Sequence, residues 1–360
     1  MKRGIVWLLI LVLFATLCGG CSNLTKKIEH NIDQFCMNNN FSGSILIADN
    51  GKILLKKSYG MADYEKKIPN TPQTIFRLAS VSKQFTATCI MMLEERGLLS
   101  VNDPVNKYIP DYPNGDIITL HHLLTHTSGI PEYFTDLNNL DHYFTPGDII
   151  RIFKDRPLEF APGARFKYSN SNYILLGYII EEVSHMKYED FVKRNIFEPL
   201  GMNDSGYDHN EEMPNKAVGY ESINNPNHNP EYKKAVYIDM SYPYAAGALR
   251  STVEDLYKWD QALYTEKILK QETLARMFTG YPNGENIGIP FGYGWVIDKP
   301  GEKPWVSHQG ELPGFRSYIF RDTKLRRTVI ILCNYEFCPM AREFDRLVLF
   351  LYTANTKLKM

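Results

Sequence analysis

Apolar and polar positions alternate with three different rhythms along this chain. At the start, Lys2 and Arg3 precede an apolar run from Ile5 to Leu17, interrupted only by Thr16. That run is shorter than the roughly 20 residues needed to cross a bilayer. A basic start, a short apolar stretch and small residues before a cysteine have the layout of an export signal, which places residues 1–20 outside the fold and residues 21–27 in a polar tether. Helical periodicity follows over Leu24 to Asn38. Strand-like runs come next at Ser44–Ala48 and Lys52–Lys57, around Asn50-Gly51, a tight-hairpin dipeptide.

A helix then runs through Gln84–Leu93, apolar on nearly every side and hence buried, with Gly97 as its stop. From Pro104 to Ser241 the pattern is helical and loop-rich, with helices expected at Leu120–His126, Asn172–Val183 and Tyr188–Glu198. Ser251-Thr252 caps a helix to Tyr264 that carries Glu254 and Asp255 in its first turn. Strand-like runs return at Gly292–Ile297, Trp305–His308, Phe315–Phe320 and Thr328–Cys333, and Met340–Leu351 reads as a closing helix. Strands at both ends and helices between them predict an α+β fold. One antiparallel sheet, built from 28–78 and 245–360 and flanked by helices, holds an inserted, mainly helical domain at 79–244, with the site at the junction.

Bulk properties narrow the function. A chain of 360 residues buries a large core. A net charge of −1 argues against a general basic surface for nucleic acid. Past the leader, Cys36, Cys89, Cys333 and Cys338 fit no zinc spacing. Cys89 and Cys333 read as core residues; Cys333 and Cys338 are spaced either to pair across a turn or to stay free. No internal repeat is present, nor any Gly-x-Ser-x-Gly elbow.

The chemistry concentrates at Ser80-Val81-Ser82-Lys83. A hydroxyl and an amine three residues apart share a helix face, and a serine at the first turn has free backbone N–H groups beside it. Ser184 and Lys187 repeat the spacing, but in a polar turn where solvent accounts for them. A lysine acting as base must come down from about 10.4 to near 7, which takes roughly 4 to 5 kcal/mol of differential interaction, so further polar partners are needed. Tyr-x-Asn occurs three times. Two copies contain proline and read as turns, whereas Tyr168-Ser169-Asn170 leads into an apolar helix and supplies a proton relay and an orienting amide. Of two candidate strand-edge pieces, Lys299-Pro300-Gly301 reads as a turn. Trp305 to Phe315 reads as a strand in which Gly310 admits close approach and the Glu311 N–H completes an oxyanion hole. His308 in that strand has a purely structural reading beside the functional one. His122 and His126 lie on one helix face, but no glutamate follows the first of them, so no metal is expected.

With these pieces assembled, the chain resembles the penicillin-recognising serine hydrolases, in the branch of class C β-lactamases, DD-peptidases and related esterases. The resemblance rests on Phe76–Thr86, Leu123–Pro131, Pro162–Gly177 and His308–Phe315. It implies a β-lactamase/transpeptidase-like fold and an acyl-enzyme mechanism without cofactor, on a small peptide, ester or β-lactam. By likeness Ser80 is the nucleophile, Lys83 the base and Tyr168 the second proton carrier. Asn170, His308, Gly310 and Glu311 bind and orient the substrate. Two departures lean it toward peptidase or esterase action: histidine stands where the β-lactamases carry lysine, and Glu311 brings a negative charge that disfavours substrates with a free carboxylate unless it points away. A non-turning-over sensor of cell-wall peptides is the alternative. Leu17-Cys18-Gly19-Gly20-Cys21 resembles a lipoprotein cleavage box, which implies lipidation at Cys21 and an exported, membrane-anchored protein; cleavage without lipid is the other reading. No obligate protein partner is evident. The polar stretch Asp208–Tyr237 reads either as a pocket wall or as a surface excursion.

Overall fold

The structure is a computed structural model and describes residues 25–134, 139–223, 231–281 and 290–336. The leader, Cys21, Cys338 and the expected helix Met340–Leu351 lie outside the described residues. Helix α1 (25–38) precedes strands β1 (Gly43–Asp49) and β2 (Lys52–Tyr59). Asn50 and Gly51 both have left-handed backbone (φ 49° and 68°), the conformation that a two-residue hairpin with right-twisted strands requires.

Strands β3 (Val296–Lys299), β4 (Trp305–Leu312), β5 (Phe315–Asp322) and β6 (Arg327–Cys333) join this hairpin in one antiparallel sheet of order β3-β4-β5-β6-β1-β2. The two ends of the chain meet between β1 and β6, where Ile45 pairs with Ile331 and Ile47 with Val329. Both faces of the sheet are covered. Ile45, Ile47, Val329 and Ile331 pack with Ile28, Ile32 and Cys36 of α1. Leu46, Ala48, Ile330 and Leu332 face the larger core, which includes the helical half of the molecule. Because both faces are buried there, the paired centres of β1 (Ile45–Ala48) and β6 (Val329–Cys333) are apolar runs instead of alternating.

Helix α2 (Ser82–Glu95) runs through the middle of the larger core, with every residue from Ser82 to Leu93 buried. Two of its polar side chains find partners there: Thr86 Oγ1 donates to the Ala245 carbonyl at 2.7 Å, and Trp259 Nε1 donates to Gln84 Oε1 at 3.1 Å. The helix stops as expected, with the Leu98 N–H returning to the Leu93 carbonyl around Gly97. Helix α3 (Asn170–Ser184) packs against it. Helix α4 (Val253–Ala262), capped by Thr252 Oγ1 accepting from the Asp255 N–H at 3.1 Å, lies across β6 and β1.

Three expectations are corrected. The run Gly292–Ile297 is a strand only from Val296. Before that it turns on itself, with the Gly292 N–H donating to the Trp295 carbonyl and the Tyr293 N–H to Met277. Leu120–His126 is helical only to Leu124, and His126 adopts left-handed backbone at φ 56°. Tyr188–Glu198 contains a π turn at Lys193–Phe197. Cys36, Cys89 and Cys333 are buried free thiols.

Candidate active site

Ser80 sits in a single 3₁₀ turn, Ala79–Val81, immediately before α2. Ala79 has left-handed backbone at φ 48°, which costs a non-glycine residue about 1 to 2 kcal/mol. The surroundings hold it there. The Leu78 N–H donates to the Leu249 carbonyl at 2.8 Å, and Ser317 Oγ donates to the Leu78 carbonyl at 2.5 Å. Strand β4 then presses on the turn at Gly310. A Cβ at that position would lie 2.3 Å from the Leu78 oxygen and 2.9 Å from the Ser80 nitrogen, so only glycine fits. A close approach at Gly310 is thus made by the turn carrying Ser80.

Lys83 is fully buried one turn into the helix. Its Nζ contacts Ser80 Oγ at 3.0 Å, Asn170 Oδ1 at 2.7 Å and the Ala246 carbonyl at 2.8 Å. All three partners are uncharged. Burial brings the amine down to about 7, against the opposing pull of the Glu132 carboxylate. The 3.0 Å contact therefore serves proton transfer in either direction, with the ammonium donating to Oγ or the hydroxyl donating to the neutral amine.

Tyr168 faces the same serine. Its ring is partly exposed while its hydroxyl is enclosed. Burial raises the phenol well above its usual value, and the neighbouring Ser80 hydroxyl offsets this in part. The two hydroxyls are near enough to influence each other but fall short of hydrogen-bond geometry. The ring lies 5.0 Å from Lys83 Nζ and stacks on His126, with centroids 4.2 Å apart. His126 is neutral, since burial and then the charge of Lys83 hold it well below its usual value.

His308 on β4 is also enclosed, 6.3 Å ring to ring from Tyr168. Burial, then Lys83, lowers it to about 3. Its Nδ1 donates to the Gln309 carbonyl at 2.7 Å, which leaves Nε2 as a buried acceptor. Ser80, Asn170 and Glu311 together line a narrow cleft with Tyr133, Ala246 and Leu312, with a volume of about 30 Å³. The Glu311 side chain turns outward, 72% exposed, and pairs with Arg316.

All the predicted site residues except Cys21 are described; Ser80, Asn170 and Glu311 line the cleft, Lys83, Tyr168 and Gly310 lie against Ser80, and His308 lies beyond Tyr168. His122, His126 and the neighbouring His121 are engaged in other contacts. His122 closes a capping box with Thr119, His121 meets the Tyr293 hydroxyl at 2.9 Å, and His126 stacks on Tyr168. Sequence reasoning missed Glu132 and the part played by His126. Glu132 Oε2 accepts from the Asn170 N–H at 2.7 Å and from Asn170 Nδ2 at 3.1 Å, and His126 Nδ1 accepts from the Ser169 N–H at 3.2 Å. The only available signal was a carboxylate directly after the quoted stretch ending at Pro131. A larger cavity of about 670 Å³ lies beyond the Pro313–Phe315 tip. It is lined by Arg77, Asn210–Gly219 and Lys234–Tyr237, so the described parts of the Asp208–Tyr237 stretch form its wall. Its cations pair locally, Arg77 and Lys216 both with Asp208, and it lacks Ser80, so the chemistry belongs to the smaller cleft.

The sequence and fold were compared with known proteins. Residues 29–353 match the family model described as Beta-lactamase. The chain is 37% identical over 311 residues to the putative penicillin-binding protein PbpX of Bacillus subtilis, covering 85% of this chain and 74% of that protein. It is 34% identical over 330 residues to penicillin-binding protein 4* of the same organism, covering 87% and 72%. A penicillin binding protein from Bacillus halodurans superposes with a TM-score of 0.77 at 28% identity, over 91% of this chain and 98% of that one. D-amino acid amidase from Ochrobactrum anthropi superposes with a TM-score of 0.79 at 25% identity, over 94% and 100%. The α+β, β-lactamase/transpeptidase-like fold is thereby established, and this chain belongs to the beta-lactamase family of serine hydrolases.

Proposed function

We propose that this protein hydrolyses esters or amides through an acyl-enzyme on Ser80. The observation that carries the reading is a fully buried lysine amine, bonded only to uncharged groups, 3.0 Å from a serine hydroxyl. In this reading Lys83, neutral, takes the Ser80 proton as Oγ attacks the carbonyl carbon. The backbone N–H groups of Ser80 and Glu311 receive the developing oxyanion, each contributing about 3 to 4 kcal/mol. Tyr168 keeps its proton because it is buried, so it acts as donor to the leaving group and recovers a proton from Lys83. Water then resolves the acyl-enzyme with the same groups in reverse.

The strand edge bears on the substrate. His308 is neutral and Glu311 is negative, and Arg316 is engaged with Glu311. This edge therefore offers little positive charge to a carboxylate beside the scissile bond, which favours simple esters and amides over β-lactams. The likeness to an amidase supports the amide class. The Glu311–Arg316 pair also weakens the repulsion expected from Glu311 alone.

Ser80→Ala should keep the fold and lose turnover of an activated ester; wild-type turnover in that variant would overturn the assignment. A fluorophosphonate should label Ser80, and many turnovers per molecule should accompany it. Labelling without turnover would favour the sensor reading. We further propose that residues 1–20 direct export and that Cys21 is lipidated, which places the enzyme on the extracytoplasmic face of the membrane. Labelled palmitate should enter the wild type and not Cys21→Ala; equal incorporation would refute this.

A further inference from the structure

Asparagine presents an oxygen and an NH₂ of nearly equal size, so its partners decide which faces where. Asn170 has Lys83 on one side and Glu132 on the other. A carboxylate only accepts hydrogen bonds, so the NH₂ must turn to Glu132 and the oxygen to Lys83. Glu132 is itself fixed. Its Oε1 accepts from the Phe134 N–H at 2.7 Å, and its main-chain carbonyl accepts from Arg156 Nη1 at 2.9 Å. Its Oε2 also takes the first N–H of α3, where Ser169 supplies no side-chain cap. A negative charge at that helix end is favoured by the helix dipole.

We infer that Glu132 is a positioning residue of this site: its carboxylate fixes the Asn170 amide so that Oδ1 faces Lys83, and so governs when Lys83 holds a proton. The inference rests on the acyl-transfer reading for its effect on rate, but not for its effect on Lys83. With Oδ1 facing it, the ammonium form of Lys83 has three acceptors. With the amide reversed, an NH₂ would oppose it and the ammonium would lose a partner. The carboxylate also favours the ammonium through space. The other titratable groups facing Lys83 are Tyr168, Tyr173, His126 and His308, none of them an anion when Lys83 titrates.

Glu132→Gln removes the charge and permits either amide orientation. Glu132→Asp keeps the charge and shortens the reach. Titration of the Lys83 Nζ by nitrogen NMR needs no substrate and decides the matter first. Lys83 should lose its proton at lower pH in Glu132→Gln than in wild type, and nearly at the wild-type pH in Glu132→Asp. Ester hydrolysis should fall roughly 10- to 100-fold in both variants, as misplacement of reacting groups does. In Glu132→Gln the acid limb of kcat/KM should also move to lower pH. An unchanged Lys83 titration in Glu132→Gln, or an equal shift in both variants, overturns the inference. If Glu132→Gln melts at room temperature, Glu132→Asp decides alone. In Glu132→Asp, which keeps the charge, a lower rate with a Lys83 titration near that of wild type supports the inference, and a wild-type rate overturns it. Should wild type and Ser80→Ala prove equally inactive on esters, the acyl-transfer reading fails while the NMR result still stands for Glu132.

Discussion

Among the described residues two cationic side chains, Lys83 and Arg321, are completely buried, and they are treated in opposite ways. Arg321 on β5 donates through Nε to the equally buried Asp260 at 2.5 Å and through Nη2 to the Asp260 carbonyl at 3.2 Å. The rings of Tyr264, Phe278 and Trp295 surround it at 4.6, 5.3 and 5.7 Å. It has a counter-ion in direct contact. Lys83 is just as deep, yet its partners are a hydroxyl, an amide oxygen and a backbone carbonyl. Its carboxylate, Glu132, acts only through Asn170 and through space. Equal burial thus yields a permanent structural charge in one place and a base near neutrality in the other. The difference lies in whether an anion is in direct contact.

Substitutions at the two cations should separate the roles. Lys83→Met preserves length and removes the amine. Ester turnover should fall by 10³-fold or more, on the order seen when one member of a catalytic unit is lost, with folding retained by circular dichroism. Asp260→Ala should do the reverse. Stranding a buried Arg321 should cost about 3 to 5 kcal/mol in urea unfolding, with turnover per folded molecule near wild type.

The contrast also has a pH signature in stability. Lys83 releases its proton near 7 in the folded state and near 10.4 when unfolded. Between those values the unfolded chain binds more protons, so folding stability gains from Lys83 as pH rises, by at most about 1.4 kcal/mol per unit. The penalty is fully present below 7 and is shed toward 10. Relative to Lys83→Met, wild type should therefore gain stability from pH 7 to pH 10 in parallel urea titrations; a constant gap would contradict a depressed Lys83. The smallest effect serves as a control that touches neither cation's partners directly: Thr252→Ala removes the cap of α4 and should cost about 1 kcal/mol of stability without changing turnover.

Much of this was legible in the sequence, for physical reasons. Ser80 and Lys83 are three residues apart on one helix, so spacing alone joins them. The Asn50-Gly51 hairpin and the stop at Gly97 follow from local backbone chemistry that few other residues satisfy. Tyr168 and His308 could be joined to Ser80 only through the family resemblance, because nothing local ties residues so far apart. Glu132 and His126 escaped because they sit in an aperiodic loop and act on neighbours about 40 residues away, through hydrogen bonds and ring stacking. The run Gly292–Ile297 misled because an apolar stretch packed against a core looks alike whether it pairs or turns.

The central claim is that Lys83 is a neutral base at working pH. The most direct measurement is the rate of Ser80 acylation by an activated ester across pH, read as the burst of released phenol. The account predicts an acid limb with an apparent pKa near 7, absent in Lys83→Met, below which the rate falls tenfold per pH unit. A rate that is flat from about pH 5 to 9, or that rises only above about pH 10 as for an ordinary lysine, would contradict it.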